Sequence, residues 1–380
     1  ERLQLDVTAA DGRRIAQIST LQRIGFSLAD KRVTLVDPKA ELARISIQAL
    51  PLAWAQPFIK GLTIDSGDLS LALAVEAEAD GSRVRARALE PLAIKSATVR
   101  SGDKKLVEQL SLSVSPRIDY SATRVVAELV DLKVSTPAGD NVAGSVTADV
   151  TNLNTTPAVA FASQMQLRSV ALHRAYLPLD PGPIAAAVNA EGKLEGDVLR
   201  ITKLTENVSR ENGGLLAAVE LQQPLTMNLK ASTFTVPNPS ATLARVKLGE
   251  MPLAWAETFV AKSKFDGALA GATLEVSARS ATDLTVNTTE PLVVRESTVT
   301  LDGKPMARAL DLSANLTATK RGDVVAYEVR RVEVKQGETL LAGLVVAGEA
   351  KLGDKLTLTA KGNLEADAAL LNQPAAAQFA

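Results

Sequence analysis

The sequence predicts an all-β fold: a long antiparallel meander in two tandem repeats, with short helical turns. Three observations carry this expectation. Apolar and polar residues alternate at period two through much of the chain, turn dipeptides punctuate the runs, and the second half repeats the first.

The clearest alternation places Leu69, Leu71, Leu73, Val75, Ala77 and Ala79 on one phase, with Ser70, Glu76 and Glu78 between them. Successive side chains of a strand point to opposite faces, so this reads as a half-buried strand. The same pattern returns at Leu110, Leu112 and Val114, at Val142, Val146, Ala148 and Val150, and at Leu274, Val276 and Ala278. Later it runs through Leu310, Leu312, Ala314 and Leu316, then through Leu356, Leu358 and Ala360. Between Val125 and Val134 the apolar phase changes, from Val125, Ala127 and Leu129 to Val130, Leu132 and Val134, which predicts a β-bulge. Asp11-Gly12, Asp80-Gly81, Gly102-Asp103, Asp302-Gly303 and Gly322-Asp323 lie between such runs. Asp-Gly suits the tight turns of antiparallel hairpins, so neighbouring strands are expected to pair. Helical spacing is confined to pieces such as Pro51-Leu52-Ala53-Trp54-Ala55-Gln56, which Pro57 is expected to hold to a single turn.

Pro51-Leu52-Ala53-Trp54-Ala55 recurs letter for letter as Pro252-Leu253-Ala254-Trp255-Ala256, an offset of 201. Leu42-Ala43-Arg44 matches Leu243-Ala244-Arg245, Glu90-Pro91-Leu92 matches Glu290-Pro291-Leu292, and Leu110-Ser111-Leu112-Ser113 matches Leu310-Asp311-Leu312-Ser313. One copied unit accounts for this, with a first β repeat over 1–200 and a partial second copy over 201–380, as one continuous sheet or as two domains. In the two-domain alternative the stretch Leu177-Pro178-Leu179-Asp180-Pro181-Gly182-Pro183 is the linker.

Composition excludes more than it supplies. A chain of 380 residues has room for two or three cores, and 42 Lys plus Arg against 43 Asp plus Glu leave a net charge of −1. Basic pairs such as Lys31-Arg32, Lys104-Lys105 and Arg330-Arg331 read as solvated strand edges, so no nucleic-acid partner is expected. With no Cys and a single His173, neither a thiol nor a zinc site is foreseen, and no metal or cofactor is expected. No Gly-x-Ser-x-Gly elbow, P-loop or dinucleotide fingerprint occurs, and Glu76 and Glu78 share one strand face, where they stay solvated. No catalytic residue is assigned and the chain is not expected to be an enzyme. No apolar stretch is long enough to span a bilayer, and the first residue is Glu, so any anchor is expected outside this sequence.

Aromatic residues make up only 3% of the chain, yet Trp54 and Phe58 recur as Trp255 and Phe259. They read either as a plug of core aromatics over a sheet end or as caps on an apolar groove.

Two further segments carry a family resemblance: Gly61-Leu62-Thr63-Ile64-Asp65-Ser66-Gly67-Asp68-Leu69-Ser70-Leu71, which follows the Pro-Leu turn, and Glu191-Gly192-Lys193-Leu194-Glu195-Gly196-Asp197-Val198-Leu199. With the strands and the duplication, they make the chain resemble the AsmA-like superfamily of bacterial envelope proteins, which includes the TamB-like members. The resemblance implies a meander curled into an open, β-taco-like trough with an apolar lining, in an inner-membrane-anchored protein of the periplasm. It implies a role in phospholipid transport and outer-membrane homeostasis, with envelope proteins as partners at the ends and the membrane reached through segments outside this chain. The expected lining is Leu69, Leu71, Leu73, Val75, Leu110, Leu112, Val114, Leu274, Val276, Leu310 and Leu312, in contact with phospholipid acyl chains, and the groove caps are Trp54, Phe58, Trp255 and Phe259. The alternative from another class is a structural or adhesive extracellular β-repeat protein with a filled sandwich core.

Overall fold

The computed structural model describes residues 3–27, 32–37, 40–59, 61–169, 182–258, 262–351, 357–369 and 373. The expected linker lies outside these residues except for Gly182 and Pro183, and so does His173. The fold is all-β and antiparallel. Two units divide the chain, one of Glu1–Leu172 with Val188–Gly196, the other of His173–Ala187 with Asp197–Ala380.

In the first unit the strands are β1 (Gln4–Thr8), β2 (Arg14–Thr20), β3 (Ile24–Ser27), β4 (Arg32–Leu35), β5 (Ala43–Pro51), β6 (Thr63–Ala77), β7 (Arg83–Ser101), β8 (Lys104–Ser121), β9 (Arg124–Ser135), β10 (Asn141–Thr151) and β11 (Ala158–Ser169). They pair in the order β1-β2-β5-β6-β7-β8-β9-β10-β11, while β3 and β4 form a hairpin of their own. Strand β12 (Ile184–Glu195) is shared between the units.

In the second unit the strands are β13 (Val198–Arg210), β14 (Leu215–Leu221), β15 (Leu225–Asn228), β16 (Thr233–Thr235), β17 (Ala244–Leu248), β18 (Met251–Pro252), β19 (Ser263–Ser280), β20 (Asp283–Leu301), β21 (Lys304–Arg321), β22 (Val324–Gln336), β23 (Thr339–Lys351) and β24 (Thr357–Ala366). Pairing runs β13-β14-β17-β19-β20-β21-β22-β23-β24, with β15 on the near end of β13 and β16 on β15. Among the described residues no helix is long and apolar enough to cross a membrane.

Backbone irregularities recur at matching places. Positive φ angles occur at Gly67, Ser96, Gln109 and Asp131, and again at Gly267, Glu296, Ala309 and Arg331, each 200 residues on. Asp131, at φ 53°, marks the bulge expected from the phase change in β9, and the β8–β9 register slips between Ser113 and Ser115. A wider slip lies between Arg87 and Leu92, around Pro91, and between Asn287 and Leu292, around Pro291. Proline cannot donate to a ladder, so pairing is interrupted there.

The predicted turn is a 3-10 helix, Leu52–Phe58, and it is longer than expected because Pro57 lies inside it rather than ending it. Gln56 fastens this turn to β6, donating from Nε2 to Leu62 O at 2.8 Å and accepting from Ile64 N at 2.9 Å. In the second unit the turn Leu253–Thr258 holds its strand the same way, Glu257 Oε1 accepting from Phe265 N at 2.8 Å. Leu52 packs over Gly67, whose φ is +122° and where an added Cβ would stand 2.9 Å from both Leu52 Cδ1 and Ala97 Cα.

Few side chains are fully buried. Among the described residues fifteen apolar ones are, and seven of these are alanines, so neither unit carries the large buried side chains of two tightly packed sheets.

The Gly67→Ala variant is expected to lose about 1–3 kcal/mol, because the new methyl meets backbone at a φ that disfavours any side chain. Gly343→Ala, where nothing stands within 4 Å and φ is ordinary, should stay within about 0.5 kcal/mol of the parent in urea unfolding followed by circular dichroism.

Candidate functional site

Cross-strand register converts the alternating strands into transverse rows. In the first unit one row reads Leu50, Leu69, Ile94, Leu112, Val134, Val142 and Leu167, each residue the direct partner of the next across seven strands. A second row on the same face of β6 reads Ala43, Val75, Ala86, Ile118, Ala127, Ala148 and Phe161. Neither contains a polar side chain. The second unit repeats both, as Met251, Leu269, Val294, Leu312, Val334, Ala342 and Ala366, and as Ala244, Val276, Val286, Ala318, Tyr327, Gly348 and Ala360.

The expected lining residues fall on or beside these rows. Leu69, Val75, Leu112, Val276 and Leu312 are members. Leu71 pairs with Ile47, and Leu73 lies in a shorter row with Leu5, Ile18, Ile45 and Ala88. Leu274 is opposite Val246 and Thr288, and Leu110 and Leu310 face Ala97 and Ser297. Val114 and Leu310 are buried, whereas the other nine are half-buried. Beside the first row a cavity of about 330 Å³ opens among Leu110, Val134 and Val142, with the buried Asp140 at its rim. At the matching place in the second unit stands Gln373, accepting from Arg308 N at 3.1 Å and donating to Gln336 at 3.2 Å.

Sequence reading did not single out Leu50, Ile94 or Leu167 as lining. Ile94 follows the Pro91 slip, which hides its phase, and only the pairing partners reveal it.

The opposite face is polar. Its matching row reads Arg44, Ala74, Arg87, Arg117, Glu128 and Thr147. Arg44 and Arg87 both reach Glu41, at 2.7 and 2.6 Å, and close over Ala74, which is fully buried. Glu76 and Glu78, expected to face water, lie here in ion pairs with Arg87 at 3.7 Å and Arg85 at 3.5 Å. Arg124 grips Asp149 with two bonds of 2.8 and 2.7 Å, and Arg83 grips Asp119. The hydrogen bonds from these arginines hold both carboxyls below the ordinary aspartate value of 3.8. In the second unit Thr242 and Arg245 converge on Glu275, whose carboxyl is likewise held low by Arg245 and then Thr242. Positions 41 and 74 hold Glu and Ala, their counterparts 242 and 275 hold Thr and Glu, so the carboxylate moves from the segment ahead of β5 onto β19 but stays beside the arginine.

Trp54 is 54% exposed, which overturns its reading as a core plug. Trp255 is half-buried, with the Arg210 guanidinium 5.8 Å from its ring centre. The Phe58 side chain and Phe259 lie outside the described residues. Among the described residues no cluster of His, Cys, Asp and Glu could hold a metal ion.

A carboxyl depressed in the folded state stabilises fully above its unfolded pKa, and the contribution drains as pH falls through the folded value. Stability should therefore decline below about pH 4. The pair Asp119→Asn and Asp149→Asn should flatten that decline in thermal unfolding between pH 7 and 2.5, and an unchanged profile would show that these pairs are not its source.

No protein-family model matches this chain, and neither the curated proteins nor the solved structures yield a match.

Proposed function

We propose that this protein is a lipid-binding or lipid-conducting groove of the bacterial cell envelope, AsmA-like in kind, in which each repeated unit bends its own apolar face into an open trough. The observation that carries the reading is the unbroken apolar row across seven strands, present in each unit. Strands stand about 4.8 Å apart, so seven of them make a path of roughly 29 Å. That is close to the ~30 Å hydrocarbon thickness of a bilayer, enough for two acyl chains end to end.

Holding a sixteen-carbon chain in water costs on the order of 12 kcal/mol at about 0.8 kcal/mol per methylene, which supplies the drive into such a path. With only Leu, Ile, Val, Ala and Phe along the first unit's rows, no residue fixes a headgroup, and tails slide rather than lodge. The polar face, tied by its arginine and carboxylate pairs, keeps the other side of the sheet in water. The scarcity of buried large side chains supports an uncovered apolar face over a filled sandwich. The periplasm, phospholipid as cargo, an anchor outside this sequence and envelope partners at the ends complete the proposal, and no chemistry is catalysed.

A photoreactive residue tests it. With a phospholipid carrying a radioactive acyl chain, a benzophenone at Leu112 or Leu312 should label about tenfold more than one at Arg117 or Thr317, on the opposite face. Leu71→Glu should reduce the phospholipid seen by native mass spectrometry after mild-detergent purification, while Glu76→Gln leaves it unchanged. Equal labelling of both faces, or no lipid at all, would return the protein to a structural spacer.

A further inference from the structure

Hairpins β1–β2 and β13–β14 end in the same turn, 201 residues apart. Ala9 N donates to Arg13 O, and Arg210 N to Gly214 O, both at 2.8 Å. Gly12 N and Gly213 N reach back to Ala9 O at 3.0 Å and to Arg210 O at 2.9 Å. The two glycines have φ angles of +81° and +89°, and an added Cβ on either would meet nothing within 4 Å. Ahead of each glycine a side-chain oxygen accepts from the backbone two residues on: Asp11 Oδ1 from Arg13 N at 3.0 Å, Asn212 Oδ1 from Gly214 N at 3.3 Å. One tip is thus closed by a carboxylate and the other by a carboxamide.

Asn212-Gly213 is the one Asn-Gly pair in the sequence, and residues 211–214 are all exposed. Glycine puts no side chain in the way when its own nitrogen approaches the preceding carboxamide carbon. The Gly214 N–H on Asn212 Oδ1 polarises that carbonyl and is placed to support the negative charge the oxygen takes on when Cγ is attacked. What holds the nucleophile back is the bond from Gly213 N to Arg210 O. It lies at an exposed hairpin tip, where local opening costs least.

We infer that Asn212 is a self-deamidating site, whose aspartyl product is accepted by a turn the chain already builds with Asp11. When the tip opens, Gly213 N gives its proton to water and bonds to Asn212 Cγ. The Cγ–Nδ2 bond breaks, and the nitrogen takes a proton from water and leaves as ammonia. Water then opens the five-membered succinimide. Cleavage between Cγ and the Gly213 nitrogen gives Asp with an ordinary backbone, and cleavage at the main-chain carbonyl gives isoaspartate. The first product reproduces the Asp11 tip, oxygen for oxygen. The second carries the main chain through Cγ, which adds a methylene to the turn and removes the acceptor of Gly214 N. That lengthening works against the register that sets Glu206 opposite Val219 and Val208 opposite Ala217. The inference does not rest on the lipid reading.

The test incubates the folded full chain in mildly alkaline heavy-oxygen water and follows the uptake of heavy oxygen by peptide mass spectrometry. The peptide holding Asn212 should take up label about tenfold faster than the one holding Asn154, an exposed turn asparagine followed by Thr155. Ammonia should appear in step with the label. Hydrogen exchange then separates the products. The Asn212→Asp chain should keep the parent's protection across residues 205–209, whereas the isoaspartyl fraction, isolated by ion exchange, should exchange there about tenfold faster. Equal labelling at Asn212 and Asn154, or no labelling at Asn212, would overturn the inference. So would an Asn212→Asp chain that loses protection at 205–209, because the turn would then not accept the product.

Discussion

Everything distinctive here depends on the registration of one backbone ladder against the next. Alternation alone gives each strand an apolar side, but only pairing decides which apolar residues stand shoulder to shoulder. Leu69 meets Ile94, and Ile94 meets Leu112, because the hydrogen bonds of β6, β7 and β8 fix them there. A slip of one residue would turn every side chain of a strand to the other face. The bulges at Ser96, Gln109 and Asp131 therefore have a structural role. Each absorbs an odd residue, so the apolar phase after it returns to the face it left, and the row of Leu112, Val134 and Val142 is restored beyond the bulge.

The two faces solve different problems with the same backbone. On the polar side small residues such as Ala74 lie beneath long arginines, whose stems cover apolar surface while their heads bind carboxylates. These pairs are partly exposed, so each one contributes little to stability. Their larger effect is to keep that face wet and to leave the apolar side as the one able to receive a hydrophobic partner. The move of the carboxylate from position 41 to position 275, always within reach of Arg44 or Arg245, shows the pairing kept while the residue bearing it changed. The hydrogen bonds of Gln22 to the backbone of Asp37 likewise recur between Gln223 and the backbone of Asn238, a correspondence that sequence identity alone did not bring out.

The sequence by itself determined the strand content, the hairpin turns and the bulge in β9, because side-chain alternation and turn chemistry are local properties of the chain. It also named Leu69, Leu112 and Leu312 without knowing their neighbours. What only the tertiary structure decided is the register of each pairing: the rows that join Leu50 to Leu167, the burial of Ala74 under two arginines and the exposure of Trp54. Register is set by contacts between residues tens of positions apart, and prolines and bulges shift it by amounts that the alternation within one strand does not record.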